Sequence, residues 1–214
     1  MECATQQQSR SLDEILGVAK VYEVCAEALL NLPTKKIIGD VIRVAEILES
    51  DAFDGITFDD TFEQRYYDRF FVPSSPWFIP LSESCIRGAH VVDGVWHFGL
   101  VADAGTDHVA ACYTSANFDP TDLQGFDLAV QSLRGDSLAA ELSFMAYLAQ
   151  QEAVSSPEKS ATHVRSLEEE FLKRHMIPWV GKGAEALVHS DDDFYARFVA
   201  FAAAWIEFDY SSLT

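Results

Sequence analysis

The chain has 214 residues, 49% hydrophobic and 23% charged, enough to bury a full core without a metal or disulfide staple, so a disordered tail, a collagen-like repeat and a disulfide scaffold are excluded. Fifteen Lys and Arg against 34 Asp and Glu leave a net charge of −19. That charge disfavours nucleic acid and an anionic membrane surface as partners and attracts a basic peptide or protein segment, although solubility alone would also account for it.

Gly and Pro are scarce, and 26 Ala, 18 Leu and 16 Glu favour helices. Ser11-Leu-Asp-Glu14 reads as a capping box ahead of a stripe from Leu12 to Leu29, which Pro33 stops. Thr34 is placed to cap a second helix with Ile37, Ile38, Val41, Val44, Ala45 and Leu48 on its apolar positions. Asp59 or Asp60 is expected to open a third, striped by Phe62, Tyr66 and Phe70.

From 72 to 107 the pattern changes. Pro73, Pro76 and Pro80 break any helix, and Val91-Val92 and Val95–Phe98 around Asp93-Gly94 suggest a small hairpin inside one long Pro/Gly-rich loop. Helical spacing resumes near Asp107. Asp119-Pro120 is a cap followed by a first-turn proline, and a helix is expected from about Asp136 to Glu152. Ser156-Pro157 repeats the signal for a helix ending at Met176, before Pro178. The glycines of Gly181-Lys-Gly183 read as a chain break after Trp179. Asp193 caps a last helix whose apolar face includes Phe194, Phe198, Phe201, Trp205 and Phe208. The expected fold is all-α: a single helical bundle-like domain of about nine or ten helices, spanning 1–214.

Cys3, Cys25, Cys85 and Cys112 have neither zinc-finger nor disulfide spacing and read as reduced thiols. The N-terminus lacks a signal-peptide pattern, and the longest apolar run, Phe198–Ile206, is far too short to span a bilayer. A cytoplasmic chain without membrane insertion is expected. Gly181–Ala186 fits GxGxxA only superficially, because no strand precedes it. Asp59, Asp60 and Glu63 match the DDxxE pattern by which helical diphosphate enzymes hold Mg²⁺, but read equally well as first-turn acids of a helix. The six histidines form no ligand set in sequence, so no metal, no cofactor and no catalytic seat is expected.

Three stretches carry a resemblance. Tyr67–Ser84, Asp136–Leu148 and Glu170–Trp179 are similar, in order and spacing, to motifs of the TorD/DmsD/NarJ-type redox-enzyme maturation chaperones. These motifs are an aromatic helix end leading through a proline loop to P-x-x-E-S, then D-H-x-x-x-E-L-x-F-M-x-x-L, then F-L-x-x-H-x-x-x-W. The resemblance implies a non-catalytic chaperone for the precursor of a molybdenum or tungsten oxidoreductase. Such a protein binds the twin-arginine leader, the enzyme body, or both, while the pterin cofactor is inserted. Residues matching the binding motifs are Phe71, Pro73, Trp77, Pro80, Glu83, Ser84, Asp136, Ser137 and Glu141. Ser137 stands where relatives carry His, and Ser82 where many carry Tyr. Phe78, between two prolines, joins Trp77 as an expected surface aromatic of a leader-binding groove, with Phe70 expected in the core. Relatives occur as monomers or helix-swapped homodimers, which implies a possible hinge within 117–136.

Overall fold

A computed structural model describes residues 10–155 and 158–214. Residues 1–9, with Cys3, and the Ser156-Pro157 signal lie outside the described residues. Ten α-helices and one hairpin occur among the described residues: α1 Leu12–Leu30, α2 Lys35–Ile47, α3 Phe62–Phe70, α4 Glu83–Arg87, β1 His90–Val92, β2 Val95–His97, α5 Ala104–Ser115, α6 Asp127–Gln131, α7 Leu138–Val154, α8 Glu158–Phe171, α9 Val180–Ser190 and α10 Phe194–Leu213. The all-α expectation is met.

Five of the α-helix starts among the described residues are set by side-chain caps. Ser11 Oγ accepts from Glu14 N (3.3 Å) while Glu14 reaches back to Ser11 N (2.6 Å), and Thr34, Ser137 and Asp193 cap α2, α7 and α10. Each cap satisfies amides that the first turn leaves without partners. α7 is apolar nearly all round, with Leu138, Leu142, Met145 and Leu148 all buried, so it forms the centre of the bundle. α1 and α8 pack along it, and α9 packs on α10. One contiguous core joins Tyr22, Val41, Tyr66, Leu142, Trp179 and Phe198.

Several expectations are corrected. Neither Asp59 nor Asp60 caps α3, because Asp59 turns its carboxylate onto Thr61 N (2.8 Å) and Oγ1 (2.7 Å), and Thr61 precedes the helix. Asp119-Pro120 opens only a 3-10 turn, Pro120–Asp122. Gly125 then lies against the Leu30 carbonyl, where a side chain would collide, and Phe126 N bonds that oxygen at 2.8 Å. Gly181 and Gly183 do not break the chain. They lie inside α9, where the cost of roughly 1 kcal/mol per glycine is offset by burial of Val180, Ala184, Ala186 and Leu187. Phe208 is 62% exposed and outside the buried face of α10.

The long loop is more ordered than its prolines suggest. It contains α4 and the hairpin, whose Asp93 and Gly94 both take positive φ as a type I′ turn requires. An isolated bridge joins Ser82 to Ser137. α5 starts earlier than expected, at a capping box formed by Asp103 and Thr106. The helix expected to reach Met176 leaves α-geometry at Phe171 and continues as a π-turn, Leu172–Met176, closed by Ile177 N to Leu172 O at 2.9 Å. Such a turn rotates the side chains that follow it, and it re-aims His175.

Candidate functional site

The loop leaving α3 is held by one fully buried cation. Arg69 donates from Nε to Asp193 Oδ2 (2.9 Å), from Nη2 to Asp191 O (2.6 Å), from Nη1 to Leu187 O (3.3 Å), and to Ser190 Oγ. This pins the end of α3 to the α9–α10 corner, so the proline segment must run outward and return. On return, Glu83 N donates to Asp136 O (2.8 Å) and Leu138 N to Leu81 O (3.1 Å), joining the loop to the start of α7.

Between loop and bundle lies an apolar groove of about 250 Å³, lined by Leu30, Phe70, Phe71, Phe78, Ile79, Pro80, Leu81, Cys85 and Leu133, with Arg134 and Ser137 among its polar members. That volume is below the roughly 300–1,000 Å³ of small-molecule sites and suits the insertion of apolar side chains. Of the residues expected to bind, Phe71, Phe78, Pro80 and Ser137 line the groove. Pro73 is exposed on the loop and does not. Trp77 is also outside it, half-buried beneath the Arg65 guanidinium 4.5 Å from the ring centroid. Phe70, expected in the core, is half-buried on the groove wall.

Glu83, Ser84, Asp136 and Glu141 are interior struts, each 3% exposed or less. Asp136 Oδ2 accepts from Ser84 N (3.1 Å) and Ser84 Oγ (2.6 Å), and Oδ1 accepts from Arg134 Nη2 (2.9 Å). Glu83 pairs with Arg87 through one oxygen and with His175 Nδ1 through the other at 2.8 Å. Trp179 Nε1 donates to Glu141 Oε2 at 3.1 Å. Burial, reinforced by the nearby Glu83 carboxylate, holds the Glu141 carboxyl well above the usual range. Its Oε1 has no hydrogen-bond partner among the described residues.

These bonds link all three stretches that carry the sequence resemblance: Ser84 to Asp136, Glu83 to His175, and Glu141 to Trp179. A buried polar or charged side chain is costly unless hydrogen-bonded, so these bonds fix the register between loop, central helix and π-turn. Glycines allow the close packing: a Cβ on Gly99 would sit 2.7 Å from Ser84 O and 2.9 Å from Gly88 Cα.

Sequence reasoning missed Arg69, Arg134 and a second cluster of His108, Cys112 and His175, whose ligand-type atoms all lie within 4.8 Å of one another. His108 and Cys112 are four apart on α5, a same-face spacing that was a usable signal. The Mg²⁺ pattern gains no support. Asp60 and Glu63 are exposed, Asp59 is engaged by Thr61, and among the described residues no acidic cluster faces them. No helix among the described residues is long and apolar enough to cross a membrane.

The family model of the nitrate reductase delta subunit matches residues 59–185, which contain the groove loop, the struts and the π-turn. Searches of the curated proteins and of the solved structures find no match. Since the family match covers more than half of the chain, the chain belongs to the nitrate reductase delta subunit family, whose members are non-catalytic chaperones of molybdoenzyme assembly.

Proposed function

We propose that this chain is a cytoplasmic chaperone that holds the twin-arginine leader of a molybdenum or tungsten oxidoreductase precursor while the pterin cofactor is inserted. The observation that carries the reading is the apolar groove between the proline loop and α7, walled by Phe71, Phe78, Ile79 and Pro80. A twin-arginine leader is basic at its start and apolar after it. The apolar part fits a groove of this lining, and the basic part is drawn by a net charge of −19. The TorD/DmsD-like motifs support the same ligand. Phe71, Phe78, Pro80 and Ser137 make the contact, and Glu83, Ser84, Asp136 and Glu141 hold the groove in shape.

Fluorescence anisotropy of a labelled leader peptide tests this. Binding is expected at micromolar peptide, weakening with added salt and on Arg→Ala change of the leader's arginine pair. No binding, or binding indifferent to both salt and the arginine pair, would overturn the proposal.

A further inference from the structure

We propose that His108, Cys112 and His175 form a binding site for a zinc ion, distinct from the apolar groove. The three donors are His108 Nδ1, Cys112 Sγ and His175 Nε2, all within 4.8 Å of one another. They lie on the wall of a second cavity of about 140 Å³, at the surface between α5 and the end of α8. His108 and Cys112 share one face of α5, and the π-turn brings His175 to them.

The hydrogen bonds assign the ring tautomers. The buried Glu83 carboxylate accepts from His175 Nδ1 at 2.8 Å, so the proton is there and Nε2 carries the lone pair. That lone pair points at His108 Nδ1, 2.7 Å away, and Arg174 Nη1 approaches His108 Nε2 at 3.3 Å. A carboxylate behind one imidazole, fixing its free nitrogen toward a second imidazole and a thiol, is the arrangement that orients a metal-ligating histidine.

Two nitrogens and one sulfur select a borderline ion such as zinc over magnesium or calcium, which prefer oxygen. Three protein ligands leave a fourth position for water on the cavity side. Zinc bonds of about 2.0–2.1 Å to nitrogen need the two imidazole nitrogens roughly 3.3 Å apart in tetrahedral geometry, so the rings must part by about 0.6 Å. His108 is exposed on α5 and has that freedom. On binding, the Cys112 thiol releases its proton to solvent and the His108 proton moves from Nδ1 to Nε2, displacing the exposed Arg174.

The test is a Co²⁺ titration of the reduced full-length chain, followed by Zn²⁺ competition. One equivalent of Co²⁺ is expected to give a thiolate-to-cobalt charge-transfer band with the d–d intensity of a tetrahedral site, and equimolar Zn²⁺ to abolish it. The band is expected to disappear in Cys112→Ser, to persist in Cys3→Ala, and to need at least ~10-fold more Co²⁺ in His108→Ala. His108 is exposed, so that variant keeps the fold, which circular dichroism checks. Absence of the band at saturating Co²⁺, its survival in Cys112→Ser, or its resistance to Zn²⁺ would each overturn the proposal.

Discussion

Replacing Asp136 by Asn tests whether the buried struts hold the groove. The carboxylate accepts three short bonds, two from Ser84 and one from Arg134, through both oxygens. An amide keeps one acceptor. If its oxygen faces Ser84, its NH₂ meets the Arg134 guanidinium, which is half-exposed and turns to solvent. One charge-assisted bond is then lost and two become neutral. Bonds to charged groups contribute about 1.5–3 kcal/mol and neutral ones about 0.5–1.5. At the middle of these ranges the lost bond contributes about 2.3 kcal/mol and the two weakened ones about 1.3 each, a loss of about 4–5 kcal/mol before a small offset from burying a neutral group. Urea denaturation at pH 7, followed by far-ultraviolet circular dichroism, should show this as a lower midpoint at unchanged slope. Leader binding should weaken in the same variant under conditions where it remains folded, because Ser84 and α4 lose their anchor on α7. A stability loss below about 1 kcal/mol would show that Asp136 does not fasten the loop, and the strut argument would fail.

Other outcomes follow from the same physics. Phe78→Ala should weaken leader binding about tenfold with helical content unchanged, whereas Trp77→Ala, lying under Arg65 and off the groove, should change it less than threefold; peptide titrations with the reverse ranking would misplace the groove. Gly99→Ala places a methyl group 2.7 Å from a backbone oxygen and should cost about 2 kcal/mol or more, read as a lower urea midpoint. Burial, together with the neighbouring Glu152, pushes the Glu168 carboxyl up to about 8. The folded state therefore keeps a proton that the unfolded chain has already lost, and stability falls between about pH 4.5 and 8, by at most ~1.4 kcal/mol per pH unit. Glu168→Gln should flatten that slope in urea midpoints measured across the range; an unchanged slope would contradict the assignment.

Local chemistry made most of the helices readable. Ser11, Thr34 and Asp193 cap where their side chains can reach an amide, and Asp93-Gly94 turns the hairpin because both residues take positive φ. What misled was tertiary. Gly183 stays helical because α9 is packed beneath Leu81 and Trp179, and the π-turn at Leu172–Met176 leaves no mark in a periodic pattern. The resemblance marked Glu83, Ser84, Asp136 and Glu141, but only the fold shows that they bond to one another and to His175 and Trp179 across long sequence separations. The cluster at His108 was hidden for the same reason: its third member, His175, lies 67 residues away along the chain.

The most direct measurement is photo-crosslinking from the groove in the native cells. A benzophenone amino acid replaces Phe78 in the full-length chain, and the adducts are mapped by mass spectrometry. Adducts are expected on the twin-arginine leader of an unprocessed molybdoenzyme precursor. Adducts confined to proteins without such a leader, or none from a folded chain in cells making the precursor, would contradict leader binding in the groove.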